Sequence, residues 1–266
     1  MTREQFPYAV EFGGASHIGY THADAGAPNE DYFGYRNRPD ERYAVGVVAD
    51  GLGRLPGGYD TSHAAGRNFI HAVNNLARES DSPEEVVRGA MEHAHYAVAY
   101  KKTHEGLHED GATTFMGFVF DKAEGGLLIP HSGDSFAVQA HPRTGVWHEL
   151  TEGDPGNGFS EMSTAIDGRG TKPEYALRRV KASAFAGKQT LRFVLGSDGH
   201  EDIVWRDDLG GKDDVRRVRA ASTAMHKTPQ QAARESVHIN GIYDNRRAEL
   251  LWWDDTTSLI ADVHKR

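Results

Sequence analysis

Three short apolar runs in this sequence each end on an acidic turn. VGVVAD-G places Asp50 before Gly51, LLIPHSGD-S places Asp134 before Ser135, and FVLGSD-G places Asp198 before Gly199. A fourth acidic pair, Asp254-Asp255, stands at the opposite end of its run and opens DDTTSLIADV. In antiparallel sheets the start of one strand lies beside the ends of its neighbours, so Asp50, Asp134, Asp198 and Asp254 are expected on one rim. That many carboxylates repel one another unless they protonate or bind cations that reverse the local field. Metal binding is the economical expectation. All-oxygen ligation selects hard cations, so magnesium or manganese is expected rather than zinc or copper. Gly51 and Gly199 permit sharp turns, and at Gly51 such a turn exposes a carbonyl to a metal. One Asp-Gly pair is an ordinary turn; four acidic ends in register are a site. Asn29-Glu30-Asp31, just ahead of the first run, adds carboxylates suited to holding metal-bound water.

The elements that must position these residues follow from the hydrophobic pattern. Strands are expected at Ala44–Ala49, Phe115–Phe120, Ser135–Gln139, Leu191–Leu195 and Ser258–Val263, with a hairpin partner at Gly126–Pro130. Ser82, Pro83 and Glu85 read as a capping box that opens a helix with Val86, Ala90, Ala94, Ala97 and Val98 on one face. Thr228-Pro229-Gln230-Gln231 repeats that signal, and residues 61–78 and 213–226 also read as amphipathic helices. Strands throughout, with two early and two late helices, imply a layered α/β sandwich. The Gly-, Pro- and charge-rich stretch at about 151–188 reads as a surface flap within a single domain spanning 1–266.

Composition excludes several classes. The formal net charge is −9 and no long Lys/Arg run occurs, which argues against a nucleic-acid partner. No apolar window approaches the length of a membrane-spanning helix, and the first residues, MTREQFPYAV, lack the apolar stretch of a secretory signal. The absence of cysteine removes disulfides and thiolate metal sites and points to the cytoplasm. His93, His95, His104 and His108 have no supporting carboxylate or Cys pattern and read as an exposed helix end. Gly51-Leu52-Gly53 with Gly57-Gly58 lacks the Gly-Lys-Ser/Thr of a nucleotide loop.

In order along the chain, Asn29-Glu30-Asp31, Asp50-Gly51-Leu52-Gly53, Gly111-Ala112-Thr113-Thr114, Gly133-Asp134-Ser135, Ser197-Asp198-Gly199 and Asp254-Asp255-Thr256-Thr257 resemble the motifs of the metal-dependent serine/threonine protein phosphatases of type 2C. The resemblance covers nearly the whole chain and implies an α+β fold, a four-layer α-β-β-α sandwich of two antiparallel sheets flanked by helices. It implies that Asp50 bridges two manganese or magnesium ions, with the Gly51 carbonyl on one and Asp198 and Asp254 completing the other. Glu30 and Asp31 act through water, and Asp134 serves a third, weaker ion. The implied activity is hydrolysis of phosphoserine and phosphothreonine in proteins by hydroxide shared between two metals, opposing a serine/threonine kinase, in a cytoplasmic monomer that acts in signalling.

The chain departs from the family pattern at the phosphate grip. Where most members carry Arg four residues before the Glu of Asn-Glu-Asp, this chain has Gly26, and Phe136 replaces the Arg that often follows Gly-Asp-Ser. Ser16-His17-Ile18-Gly19-Tyr20-Thr21-His22 looks more like a divergent bacterial branch, which makes His22 a candidate phosphate ligand or proton donor. Arg54 is the second candidate cation. The missing Arg residues leave open a catalytically weak or inactive metal-binding regulatory domain, and the same site would also serve a phosphatase for a small phosphorylated metabolite.

Overall fold

The computed structural model describes residues 6–52, 56–80, 82–140, 147–151, 164–185, 190–198, 220–222, 224–247 and 255–266. The strands are β1 (Tyr8–His17), β2 (Tyr32–Arg36), β3 (Tyr43–Ala49), β4 (Phe115–Asp121), β5 (Leu127–Ser132), β6 (Phe136–Ala140), β7 (Trp147–Glu149), β8 (Ala176–Val180), β9 (Leu191–Gly196) and β10 (Thr256–Lys265). The helices are α1 (Tyr20–Ala25), α2 (Gly58–Leu76), α3 (Pro83–His104) and α4 (Pro229–Arg247). One five-stranded sheet runs β1-β10-β9-β6-β7 and the other β2-β3-β4-β5-β8, with antiparallel pairing throughout.

Alternation along the strands builds the layers. On β3, Val45, Val47 and Ala49 face α2 and α3, while Ala44 and Val48 face the other sheet. On β9, Phe193 and Leu195 enter the space between the sheets, while Val194 packs with Ala232 and Ala233 of α4. Both faces of the central strands are therefore covered, which is why these runs are apolar almost without interruption. The four-layer α-β-β-α sandwich is the observed architecture.

Helix starts carry their sequence signals unequally. Ser82 caps α3 by accepting the Glu85 N–H at 3.4 Å, but the Glu85 carboxylate accepts from Ser80, so only half of the expected box forms. At α4 both halves form: Gln231 N–H donates to Thr228 Oγ1 at 3.2 Å and Thr228 N–H donates to Gln231 Oε1 at 3.0 Å.

Several elements differ from the sequence expectation. β1 was hidden by Gly13-Gly14 in its middle. A Cβ on Gly13 would sit 2.0 Å from the Gln230 backbone nitrogen, so close seating of α4 on β1 demands glycine there. Within the stretch read as a flap, 176–180 forms β8 on the edge of a sheet and Phe185 is buried between the sheets. Residues 152–163 and 186–188 of that stretch lie outside the described residues. Of the helix expected at 213–226, residues 220–222 are helical, and 213–219 and 223 lie outside the described residues. Among the described residues, no helix is long and apolar enough to cross a membrane.

Candidate functional site

The acidic strand ends are held by backbone pairing before any side chain acts. Asp50 follows β3 and is 4% exposed. Its N–H donates to Thr114 Oγ1 at 3.2 Å, and its carbonyl accepts the Thr114 N–H at 2.8 Å and the Thr113 hydroxyl at 2.7 Å. Gly111-Ala112-Thr113-Thr114 is therefore a cradle for the Asp50 backbone. The Thr114 hydroxyl also pairs with Ser135 at 2.6 Å, tying the cradle to the turn that carries Asp134. Gly133 reaches that turn with φ of 90°, and its N–H donates to Thr164 Oγ1 at 3.1 Å.

Glycine also sets the approach of the Glu30 segment. Gly51 N–H donates to the Glu30 carbonyl at 3.2 Å, and Ser62 Oγ donates to the same carbonyl at 2.6 Å. A Cβ on Gly51 would fall 2.5 Å from the Gly58 carbonyl carbon, and one on Gly58 would fall 2.7 Å from Glu30 Oε2. Gly58 thus leaves the room that the Glu30 carboxylate occupies, and Gly51 permits the close approach of the Gly58 and Glu30 backbones.

The loop from β1 to β2 is fastened to the start of β10. Asp255, buried, accepts the Gly19 N–H on Oδ1 at 2.7 Å and the Glu30 N–H on Oδ2 at 2.5 Å. His22 lies between those two attachment points on α1, with Nδ1 2.9 Å from Asp255 Oδ2 and Nε2 3.9 Å from Glu30 Oε2. Beside them, Ser197 Oγ donates to Asp31 Oδ2 at 2.9 Å and accepts the Thr257 N–H at 3.0 Å. Ser197 precedes Asp198, so this hydroxyl links the ends of two acidic segments.

These contacts join Glu30, Asp31, Asp50 and Gly51 to the bases of the turns carrying Asp134 and Asp198, with His22 above Asp255. Glu30 Oε2, Asp31 Oδ1, Asp134 Oδ1 and Asp198 Oδ1 are shielded from solvent. Asp254 and Arg54 lie outside the described residues. Among the described residues no group of three or more His, Asp or Glu side chains is gathered closely enough to hold a metal ion. The donor set is nevertheless all oxygen and acidic, and it is seated against a two-glycine cradle, which suits hard divalent cations.

Other sequence expectations resolve plainly. Gly26, at the usual phosphate-binding Arg position, closes α1 in the left-handed region with φ of 66°. Phe136 is buried against α4 and leaves no cation at that position. His93, His104 and His108 are exposed as expected, but His95 is buried at 2% exposure and belongs to the inner face of α3. Sequence reasoning missed the supporting roles of Thr113, Thr114, Ser197 and Asp255. The Thr-Thr and Ser-Asp-Gly motifs marked their places but not their partners.

The family model for protein phosphatase 2C matches residues 18–238. No curated protein sequence matches the chain significantly. Among solved structures, the catalytic domain of the serine threonine protein phosphatase PstP in complex with two manganese ions aligns at 20% identity with a TM-score of 0.66, over 97% of this chain and 100% of that one. PppA, a regulatory component of T6SS in Pseudomonas aeruginosa, aligns at 18% identity and a TM-score of 0.62, over 95% of this chain and 96% of that one. The S. agalactiae serine/threonine phosphatase aligns at 17% identity and a TM-score of 0.63, over 97% and 100% respectively. With motifs in family order on a two-sheet sandwich, and a family model covering most of its length, the chain belongs to the protein phosphatase 2C family of metal-dependent serine/threonine phosphatases.

Proposed function

We propose that this chain hydrolyses phosphoserine and phosphothreonine in proteins, as a single-domain cytoplasmic signalling enzyme working against a serine/threonine kinase. The observation that carries the reading is the joining of the Asp50, Asp134 and Asp198 turns and the Glu30-Asp31 segment by one network of backbone and hydroxyl hydrogen bonds. In this reading Asp50, Asp198 and Asp254 hold two manganese or magnesium ions, with the Gly51 carbonyl on one of them. Glu30 and Asp31 hold water, and Asp134 serves a weaker third ion. Divalent cations bound there supply acidification of water and offset of charge on the phosphoryl oxygens.

The chain's own contribution is positioning. The Thr113–Thr114 cradle fixes the backbone of Asp50 so that its carboxylate is presented at the rim without reorganisation. His22, on a loop clipped at both ends by Asp255, stands in for the cation absent at Gly26 and binds the phosphate or carries a proton at Nε2 toward the leaving oxygen. Arg54 is the second candidate for phosphate contact.

Purified protein is expected to hydrolyse p-nitrophenyl phosphate and a phosphothreonine peptide with a rate that saturates in manganese and disappears with chelator. Asp198→Ala should fall to the chelated baseline. If wild type and Asp198→Ala are equally inactive with manganese present, the enzyme reading fails. The lack of cations at Gly26 and Phe136 then favours a metal-binding regulatory domain without turnover. A preference for small phosphorylated metabolites over phosphopeptides in the same assay would reassign the substrate class.

A further inference from the structure

We infer that Asp255 is a positioning residue for His22: it holds the Nδ1 edge of the imidazole and leaves Nε2 as the ring nitrogen turned toward the acidic rim. Asp255 Oδ2 lies 2.9 Å from Nδ1, while Nε2 lies on the Glu30 side, 3.9 Å from Oε2. Nδ1 is buried and makes no aligned hydrogen bond, and a buried ring nitrogen left so is costly. Asp255 Oδ2 is the acceptor that a small ring rotation brings into line. A hydrogen bond at one ring nitrogen determines which one keeps its proton, so an acceptor at Nδ1 holds the proton there and leaves Nε2 as the nitrogen that takes up a second proton and presents it at the rim.

The same carboxylate explains why the ring stays in place. Gly19 N–H and Glu30 N–H occupy one Asp255 oxygen each, at 2.7 and 2.5 Å, and they bracket the α1 segment that carries His22. An asparagine at this position would turn an amide NH2 toward one of those N–H groups and lose an attachment. The aspartate accepts these two backbone donors and lies within reach of the ring. Asp255 therefore acts through His22 and the loop, and Asp254 remains the ligand expected from the family motif. The kinetic consequence rests on the phosphatase reading above; the ring geometry does not.

The test is nitrogen NMR of the His22 ring in the intact protein, at a pH where the imidazole is neutral, alongside steady-state kinetics. In the wild type the His22 signals should show the Nδ1–H tautomer, and in Asp255→Asn they should move toward a mixture or the Nε2–H form. If the wild type already shows Nε2–H, or Asp255→Asn leaves the ring shifts unmoved, the proposal is overturned. Should Asp255→Asn not fold, the wild-type tautomer alone decides. His22→Gln, which keeps the loop clip, provides the kinetic arm. His22→Gln and Asp255→Asn should each raise KM for a phosphothreonine peptide by roughly 10-fold, with the double variant no worse than either single one. Additive effects would mean that the two residues act independently. If neither the wild type nor any variant turns over substrate, the function proposal fails while the ring measurement still stands or falls by itself.

Discussion

At the scale of single residues, the rim depends on hydroxyl groups that carry no charge. Thr113 Oγ1 donates to the Asp50 carbonyl at 2.7 Å while Thr113 pairs through its backbone with Ile166 in both directions. Thr113→Val keeps the shape and deletes the donor. It is expected to cost about 1 kcal/mol by urea unfolding and, on the proposed function, to raise the manganese concentration needed for half-maximal activity, because Asp50 loses one of its fixed points. An unchanged manganese midpoint would mean that the Thr114 contacts alone hold Asp50. The positions of Asp50, Asp134 and Asp198 were legible in the sequence because an Asp closing an apolar run marks the turn at a strand end. Their supports were not. Whether a threonine hydroxyl bonds a carbonyl sixty-three residues away depends on strand pairing that no local pattern encodes. His22 was legible as a candidate, but the role of Asp255 was not, since two adjacent aspartates read alike until one is seen to accept Gly19 and Glu30.

At the scale of elements, strands covered on both faces announced themselves and edge strands did not. β3 and β4 are buried along their whole length, whereas β8 is almost entirely exposed, so its Leu177-Arg178-Arg179 sequence looks like a loop. β1 was obscured by the glycines that let α4 approach. Gly13→Ala would drive a methyl group into the Gln230 backbone, and the expected result is a loss of more than about 2 kcal/mol, or no folded protein. Wild-type stability in that variant would show that α4 can lift from β1 without cost. A second prediction concerns the start of α2, where the His63 ring packs at a tilt on Tyr59, 4.1 Å between centroids, and edge-on against Tyr32 at 5.0 Å. Burial, and secondarily the charge of Arg67, hold its pKa below the usual 6.5. Between that ordinary value and the lowered one, the unfolded chain binds the proton more readily than the folded chain, so stability rises with pH across the window and falls on acidification through it. His63→Phe should flatten this part of the stability curve; an unchanged slope below pH 6.5 would assign it to other groups.

At the scale of the whole molecule, the rim lies at one end of β9 and β10, and a buried ion pair locks the same two strands near the other end. Arg192 on β9 is fully buried and stands in register with Asp262 on β10. Its Nε and Nη2 donate to the two Asp262 oxygens at 2.7 and 2.6 Å, and its remaining donors reach the carbonyls of Ser222, Ala224 and Lys227 at 3.4, 2.8 and 2.8 Å. One side chain therefore joins two strands to the segment that enters α4, which in turn covers the outer face of that sheet. Sequence reading could place both strands but not this lock, because an Arg inside LRFVL looks like a solvent-facing interruption of a strand until its partner on β10 is known. Arg192→Ala leaves Asp262 buried without its cation and is expected to cost about 3–5 kcal/mol, a large share of the roughly 5–15 kcal/mol available to a domain. Arg192→Met with Asp262→Leu removes both charges and should recover part of that loss, the remainder reporting the three carbonyls left without a donor. The lock and the rim occupy opposite ends of the strands, so the two functions separate in one experiment. Titrating manganese into Arg192→Ala should give lower maximal activity, in proportion to the folded fraction, at an unchanged half-saturating concentration. A shifted midpoint would show instead that strain at Arg192 travels along β9 to Asp198.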